Sequence, residues 1–71
     1  MLVNVWAVTS GYHKGAKVEA HQCRDGSVMY GFRDRIGRPA NVSDKAEADF
    51  LIKEYRMEDV TEQMRADGWI A

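Results

Sequence analysis

The 71 residues include a single cysteine, Cys23, and a single proline, Pro39. One cysteine excludes an internal disulfide, and without a Cys-x-x-Cys pair neither a dithiol redox centre nor a cysteine-rich zinc site can be built. Long hydrophobic runs are missing as well. The apolar opening Met1–Val8 contains Asn4, has no cationic leader and gives way at once to Thr9, Ser10 and Gly11. It has the form of neither a secretion signal nor a bilayer span, which takes about 20 apolar residues. With no export signal and an unpaired cysteine, a cytoplasmic location is expected. A chain this short has too little apolar surface for two cores, so one domain over residues 1–71 is expected. A core of this size rarely supplies more than about 3–5 kcal/mol of net stability, and in the absence of a disulfide the natural further support is a partner chain.

No charge of one sign dominates, since the formal net charge is −1. The two halves differ, however. Residues 1–40 hold six Lys/Arg against three Asp/Glu, and residues 41–71 hold four against eight. Such a dipole suits an electrostatically steered partner, head-to-tail association, or two ordinary solvated faces.

Strand signals come first along the chain and helix signals second. Leu2–Val8 is apolar at both parities, with Val3, Val5 and Ala7 on one side and Leu2, Trp6 and Val8 on the other. That pattern belongs to a strand covered on both faces. Thr9–Gly15 reads as a glycine-containing loop. Asp25-Gly26, set between two alternating runs, predicts a two-residue type I′ hairpin. In that register Lys17 faces Asp34, Glu19 faces Phe32, His21 faces Tyr30 and Cys23 faces Val28. This side has the larger aromatic content and is expected to be buried, which turns His21 and Cys23 inward.

Ile36–Val42 reads as a connector in which Gly37 and Pro39 end the strand. Asp44-Lys-Ala-Glu47 has the spacing of a capping box and opens a helix with an apolar stripe of Ala48, Leu51, Ile52 and Tyr55. A second box, Asp59-Val-Thr-Glu62, predicts another helix from Val60 to about Asp67. Gly68 would stop it, with Trp69 folded back on Met64.

The residues able to carry chemistry are few. His13, His21 and Cys23 are the only soft metal ligands, and no second element supplies ligand spacing to complete a zinc site, so no metal is expected. An inward-facing cysteine also lacks the accessible, electropositive setting of a nucleophile. Gly11–Lys17 follows an apolar strand but has the wrong spacing for a phosphate loop, and a strand rather than a helix follows it. No cofactor is expected. The acidic residues Glu58, Asp59, Glu62 and Asp67 oppose a reading of residues 50–70 as a duplex-binding helix pair. Tyr30-Gly-Phe-Arg-Asp-Arg35 interleaves aromatics with arginines, as single-strand binders do, and Tyr30-Gly-Phe32 resembles the aromatic-glycine-aromatic part of RNA-binding sheet motifs. Strand parity assigns both rings to the core, leaving Arg33, Arg35 and Arg38 for an anionic surface.

The elements together predict an α+β fold: a three-stranded antiparallel sheet (β-β-β) followed by two short helices packed on the face bearing Val28, Tyr30 and Phe32. In a simple meander the first strand lies at an edge, whereas its two apolar faces suit a central place. Either that edge pairs with another chain, as in a homodimer or by adding to a partner's sheet, or the strand order is not a meander. The expected function is non-enzymatic: a protein-binding regulator, acting as a stoichiometric adaptor or inhibitor of a larger protein. Trp6, Tyr12, His13, Arg33, Arg35 and Arg38 are expected to reach the partner, because aromatics and arginines anchor interfaces. The alternative is a small nucleic-acid-binding module using the basic N-terminal half. Small independent chains of this kind suit phages or other mobile elements.

Overall fold

The computed structural model describes residues 1–70. In chain order the elements are β1 (Leu2–Ala7), β2 (Lys17–Gln22), β3 (Val28–Arg33), β4 (Pro39–Val42), α1 (Lys45–Glu54), β5 (Glu58–Asp59) and α2 (Thr61–Ala66). The fold is α+β, and its antiparallel sheet has five strands in the order β4-β3-β2-β1-β5 rather than the three expected. Among the described residues no helix is long and apolar enough to cross a membrane.

Two turns of one design fold the middle of the chain. They are Cys23–Ser27, between β2 and β3, and Asp34–Arg38, between β3 and β4. In each, the first residue's N–H donates to the last residue's carbonyl, at 2.7 Å from Cys23 to Ser27 and 3.1 Å from Asp34 to Arg38. The fourth residue is a glycine at φ 89° that donates back to the first carbonyl at 3.0 Å, Gly26 to Cys23 and Gly37 to Asp34. This is a three-residue loop ending in a left-handed glycine bulge, a conformation an L side chain disfavours. A carboxylate secures each turn. Asp25 accepts from the Ser27 N–H at 2.9 Å, and Asp34 accepts from the N–H groups of Ile36 at 3.0 Å and Arg38 at 2.9 Å. The Ser27 hydroxyl, then its amide, holds the Asp25 carboxyl below the ordinary aspartate range, and the Arg38 amide leads in doing the same for Asp34.

The extra loop residue corrects the expected register. Val18 pairs with Phe32, Ala20 with Tyr30 and His21 with Met29. A one-residue slip moves a whole strand's side chains to the opposite face. Tyr30 and Phe32 do face the core, but across from Val18 and Ala20, which are 0% and 3% exposed. His21 is exposed and Cys23 only half-buried, so the inward placement expected of this pair is wrong. Burying Val18 and Ala20 in place of Glu19 and His21 is the physical reason. The second turn likewise converts the expected connector into β4, an edge strand, where the missing N–H of Pro39 is tolerated.

β1 lies between β2 and β5, with Trp6 opposite Asp59 and Ala7 opposite Glu58. The tension between an edge position and two apolar faces is thus eased by strand order: along the edge invoked for a homodimer through the first strand, the chain's own β5 pairs with Trp6 and Ala7.

The α1 side of the sheet holds the main core of Val8, Ala16, Val18, Val42, Ala48 and Met57, with Trp6, Tyr30, Phe32, Leu51, Ile52 and Tyr55 packed against it. α1 begins at the expected cap: Asp44 accepts from the Glu47 N–H at 2.9 Å, while Glu47 reaches back one residue beyond the N-cap, to the Ser43 N–H at 3.1 Å, rather than to the Asp44 N–H of a strict capping box. It ends with Arg56 in the left-handed region at φ 53°, and the Met57 N–H donates to the Ile52 carbonyl at 2.9 Å. The chain then rounds the β1 edge.

α2 therefore sits on the opposite side, not beside α1 as expected. Val5, which pairs with Glu19 and so shares its face, is 0% exposed, and a recess on that face is lined by Leu2, Lys17, Glu19, Arg33, Met64 and Trp69. One hydroxyl ties α2 down. Buried Thr61 Oγ1 accepts from the Val5 N–H at 3.1 Å and donates to Asp59 at 2.6 Å, and the Val60 N–H donates to the Val5 carbonyl at 2.9 Å. Asp59 also accepts from the Thr61 N–H at 2.9 Å, forming a turn rather than the helix cap expected of it. α2 ends as expected: Gly68 lies at φ 86°, with bonds from Gly68 N–H to Arg65 (3.1 Å) and Trp69 N–H to Met64 (2.9 Å).

Candidate functional site

Three segments meet at one end of the sheet: the β1–β2 loop, the β3–β4 turn and the last turn of α1. The loop is closed at its base by Val8 N–H to Ala16 (2.9 Å) and Gly15 N–H to Val8 (3.0 Å), and within it by Lys14 N–H to Gly11 (3.2 Å) and Ala16 N–H to His13 (2.9 Å). Gly15 lies at φ 97°, a conformation that favours glycine, and sits in contact with the β3–β4 turn, where a Cβ would meet the Arg35 carbonyl oxygen at an ordinary 3.4 Å. The loop is therefore pressed against the β3–β4 turn, which brings Tyr12 and His13 to Arg35.

The rings form a chain from the core to solvent. Phe32 and Tyr55 are tilted with centroids 5.5 Å apart; Tyr55 and His13 meet edge to face at 4.9 Å; His13 and Tyr12 do the same at 5.0 Å. Arg35 caps the series, its guanidinium carbon 4.6 Å from the Tyr12 centroid and its Nη2 donating to the Tyr12 hydroxyl at 3.2 Å. Tyr12 is nonetheless 75% exposed. Contacts of this kind add about 0.5–1.5 kcal/mol each and hold side chains in a fixed geometry.

Two recesses flank this chain of rings. One, of about 440 Å³, runs between the loop and α1 and is lined by Val8, Tyr12, His13, Phe50, Leu51 and Tyr55, with Ser10, Glu54 and Arg56 as its polar margin. The other, of about 240 Å³, lies toward the turn and is bordered by Asp34, Arg35, Ile36 and Arg38. Arg38 is paired with Asp34 at 3.2 Å, whereas Arg35 and Arg56 have no carboxylate partner among the described residues.

Of the residues singled out by sequence, Tyr12, His13, Arg35 and Arg38 come together here. Trp6 does not: it is half-buried and packs against the core. Arg33 lies on the other face, bonded to Glu19 at 3.1 Å and to the Gly37 carbonyl at 3.2 Å. Tyr55, Phe50 and Arg56 were not anticipated. Phe50 had a legible signal, being an aromatic out of phase with the Ala48, Leu51, Ile52, Tyr55 stripe, and it is 61% exposed. Tyr55 belongs to that same stripe, which directs it to the core, and nothing in the sequence marks Arg56. His13 sits among rings while His21 lies out on β2, and the described residues contain no group of three His, Cys, Asp or Glu able to hold a metal ion.

The end thus offers an exposed tyrosine held in place from behind, an apolar recess beside it and two uncompensated guanidinium groups, a combination suited to recognition. No known protein family, no curated protein and no solved structure matches this chain.

Proposed function

We propose that the chain is a non-enzymatic, cytoplasmic protein-binding regulator, a stoichiometric adaptor or inhibitor that docks on a larger protein through the end bearing Tyr12, His13, Arg35 and Arg38. The bracing of Tyr12 carries this reading. A large exposed side chain ordinarily loses rotamer freedom when it binds, by about 0.5–1.5 kcal/mol. Tyr12 is already held by Arg35 and by the His13–Tyr55 contact, so little of that loss remains. Arginine and tyrosine beside an apolar recess are also the usual anchors of protein interfaces.

The test is affinity purification of the tagged chain from its native cell, beside a Tyr12→Ala, Arg35→Glu double variant shown by its thermal melt to be folded. The expected result is one protein co-eluting in equimolar amount with the parent chain and absent with the variant. Equal recovery by both would count against this surface. Nucleic-acid binding by the basic half would instead appear as affinity for oligonucleotide that falls steeply with salt.

A further inference from the structure

We infer that the 440 Å³ recess between the β1–β2 loop and α1 receives a segment of another protein that presents one apolar side chain flanked by carboxylates. This rests on the reading of that end as a protein-docking surface and specifies its ligand. The floor is apolar, formed by Val8, Leu51 and Tyr55, and Phe50 stands beside it. The volume suits one large side chain with its adjoining backbone.

Charge supplies the second part. Arg33, Arg38, Lys45 and Arg65 each pair with a carboxylate of the chain itself. Arg56 at the margin of the recess and Arg35 on Tyr12 pair with none among the described residues, and Lys14 is exposed on the same loop; Lys17, Arg24 and Lys53 are likewise unpaired but line neither recess. Of the acids nearby, Asp34 is already engaged by Arg38 and the turn amides, which leaves Glu54 alone against these cations. Arg56 also holds a left-handed backbone conformation that costs a non-glycine residue about 1–2 kcal/mol, so the cation stands where glycine would be easier.

The rings favour a protein segment over a nucleic acid. Base stacking needs an open ring face. Here Arg35 already occupies one face of Tyr12, and His13 meets both Tyr12 and Tyr55 edge to face, so this series of rings offers less stacking surface than its exposure suggests.

The experiment titrates the isotope-labelled full chain, followed by amide NMR signals, with two pools of short capped peptides. One has Phe or Leu at its centre with Asp and Glu on either side; the other is identical except for Asn and Gln. Oligothymidine is a third probe. The acidic pool should shift the signals of His13, Leu51, Tyr55 and Arg56 and bind about tenfold more tightly than the amide pool at low salt. The Arg35→Gln, Arg56→Gln variant, its fold verified by a dispersed spectrum, should bring the two pools level. Equal binding of both pools by the parent chain, shifts confined to other surfaces, tighter binding of oligothymidine, or no response to the acidic pool would each overturn the inference. If the inference fails while Tyr12 and Arg35 are still needed to capture a partner from cells, the docking surface stands and only its acidic ligand falls. Self-association lost in the same arginine variant would make a second copy the occupant and also overturn it.

Discussion

α1 rests on the sheet through a continuous apolar cluster, from Val18 and Val42 to Ala48, with Leu51 and Tyr55 packed around it. α2, on the other side, is six residues long and is tied to β1 by Thr61 and a two-residue strand. The first attachment is spread over many side chains, each contributing through the area it removes from water. The second is concentrated in the Thr61 hydroxyl and the Val60 N–H bond to the Val5 carbonyl, which continue the ladder of β1 where β5 ends. A distributed contact fails only with the whole fold, and a concentrated one is free to open locally.

The largest effect should come from the distributed side. Val18→Ala removes two methyl groups from a fully buried position and should lower global stability by about 2–3 kcal/mol, read by urea denaturation. On the concentrated side, Thr61→Val keeps the shape but leaves the Val5 N–H without its acceptor, at about 2 kcal/mol, whereas Thr61→Ser keeps the oxygen and should lose under about 1 kcal/mol. Hydrogen exchange sharpens the comparison: Thr61→Val should speed exchange in Val5 and α2 before it does so in β2 and β3. Uniform acceleration would show that the two sides are one cooperative unit.

Arg56→Gly relieves the left-handed strain at the end of α1 and should raise stability by about 0.5–1 kcal/mol in a thermal melt while weakening any ligand held by that guanidinium. The smallest effect is with acid. The Thr61 hydroxyl, followed by its amide, holds Asp59 below the ordinary aspartate range. Because the folded value is depressed, the contribution is complete above about pH 4 and is lost as pH falls through the folded value. The urea midpoint should therefore fall below about pH 4, and fall less in Asp59→Asn. Equal acid sensitivity of the two proteins would remove Asp59 from the clasp.

Much of the architecture was legible because it is local. Asp44 capping α1, and Gly68 with Trp69 ending α2, depend on residues a few positions apart, and their bonds form inside one turn. The core placement of Tyr30 and Phe32 followed from strand alternation. The hairpin register did not, because Asp25-Gly26 fits a two-residue or a three-residue loop equally well, and the choice was made by what each register would bury. With it went the placement of His21 and Cys23. β4 and β5, at four and two residues, are too short to carry a periodic pattern.

At the candidate site, Tyr12, His13, Arg35 and Arg38 were identifiable as residue types suited to contact, since each lies in a turn or loop. That they share one end with Phe50, Tyr55 and Arg56 depends on Gly15 meeting the Arg35 carbonyl and on α1 ending beside that junction. The sequence by itself determined the α+β class, the Asp44 cap and apolar stripe of α1 and the Gly68 stop of α2, because these are set by backbone conformation and spacing over a few residues. Only the tertiary structure decided the strand order, the sides taken by the helices and the aromatic-arginine end. Each of those depends on apolar area or hydrogen bonds shared between segments far apart in the chain, which local pattern does not encode.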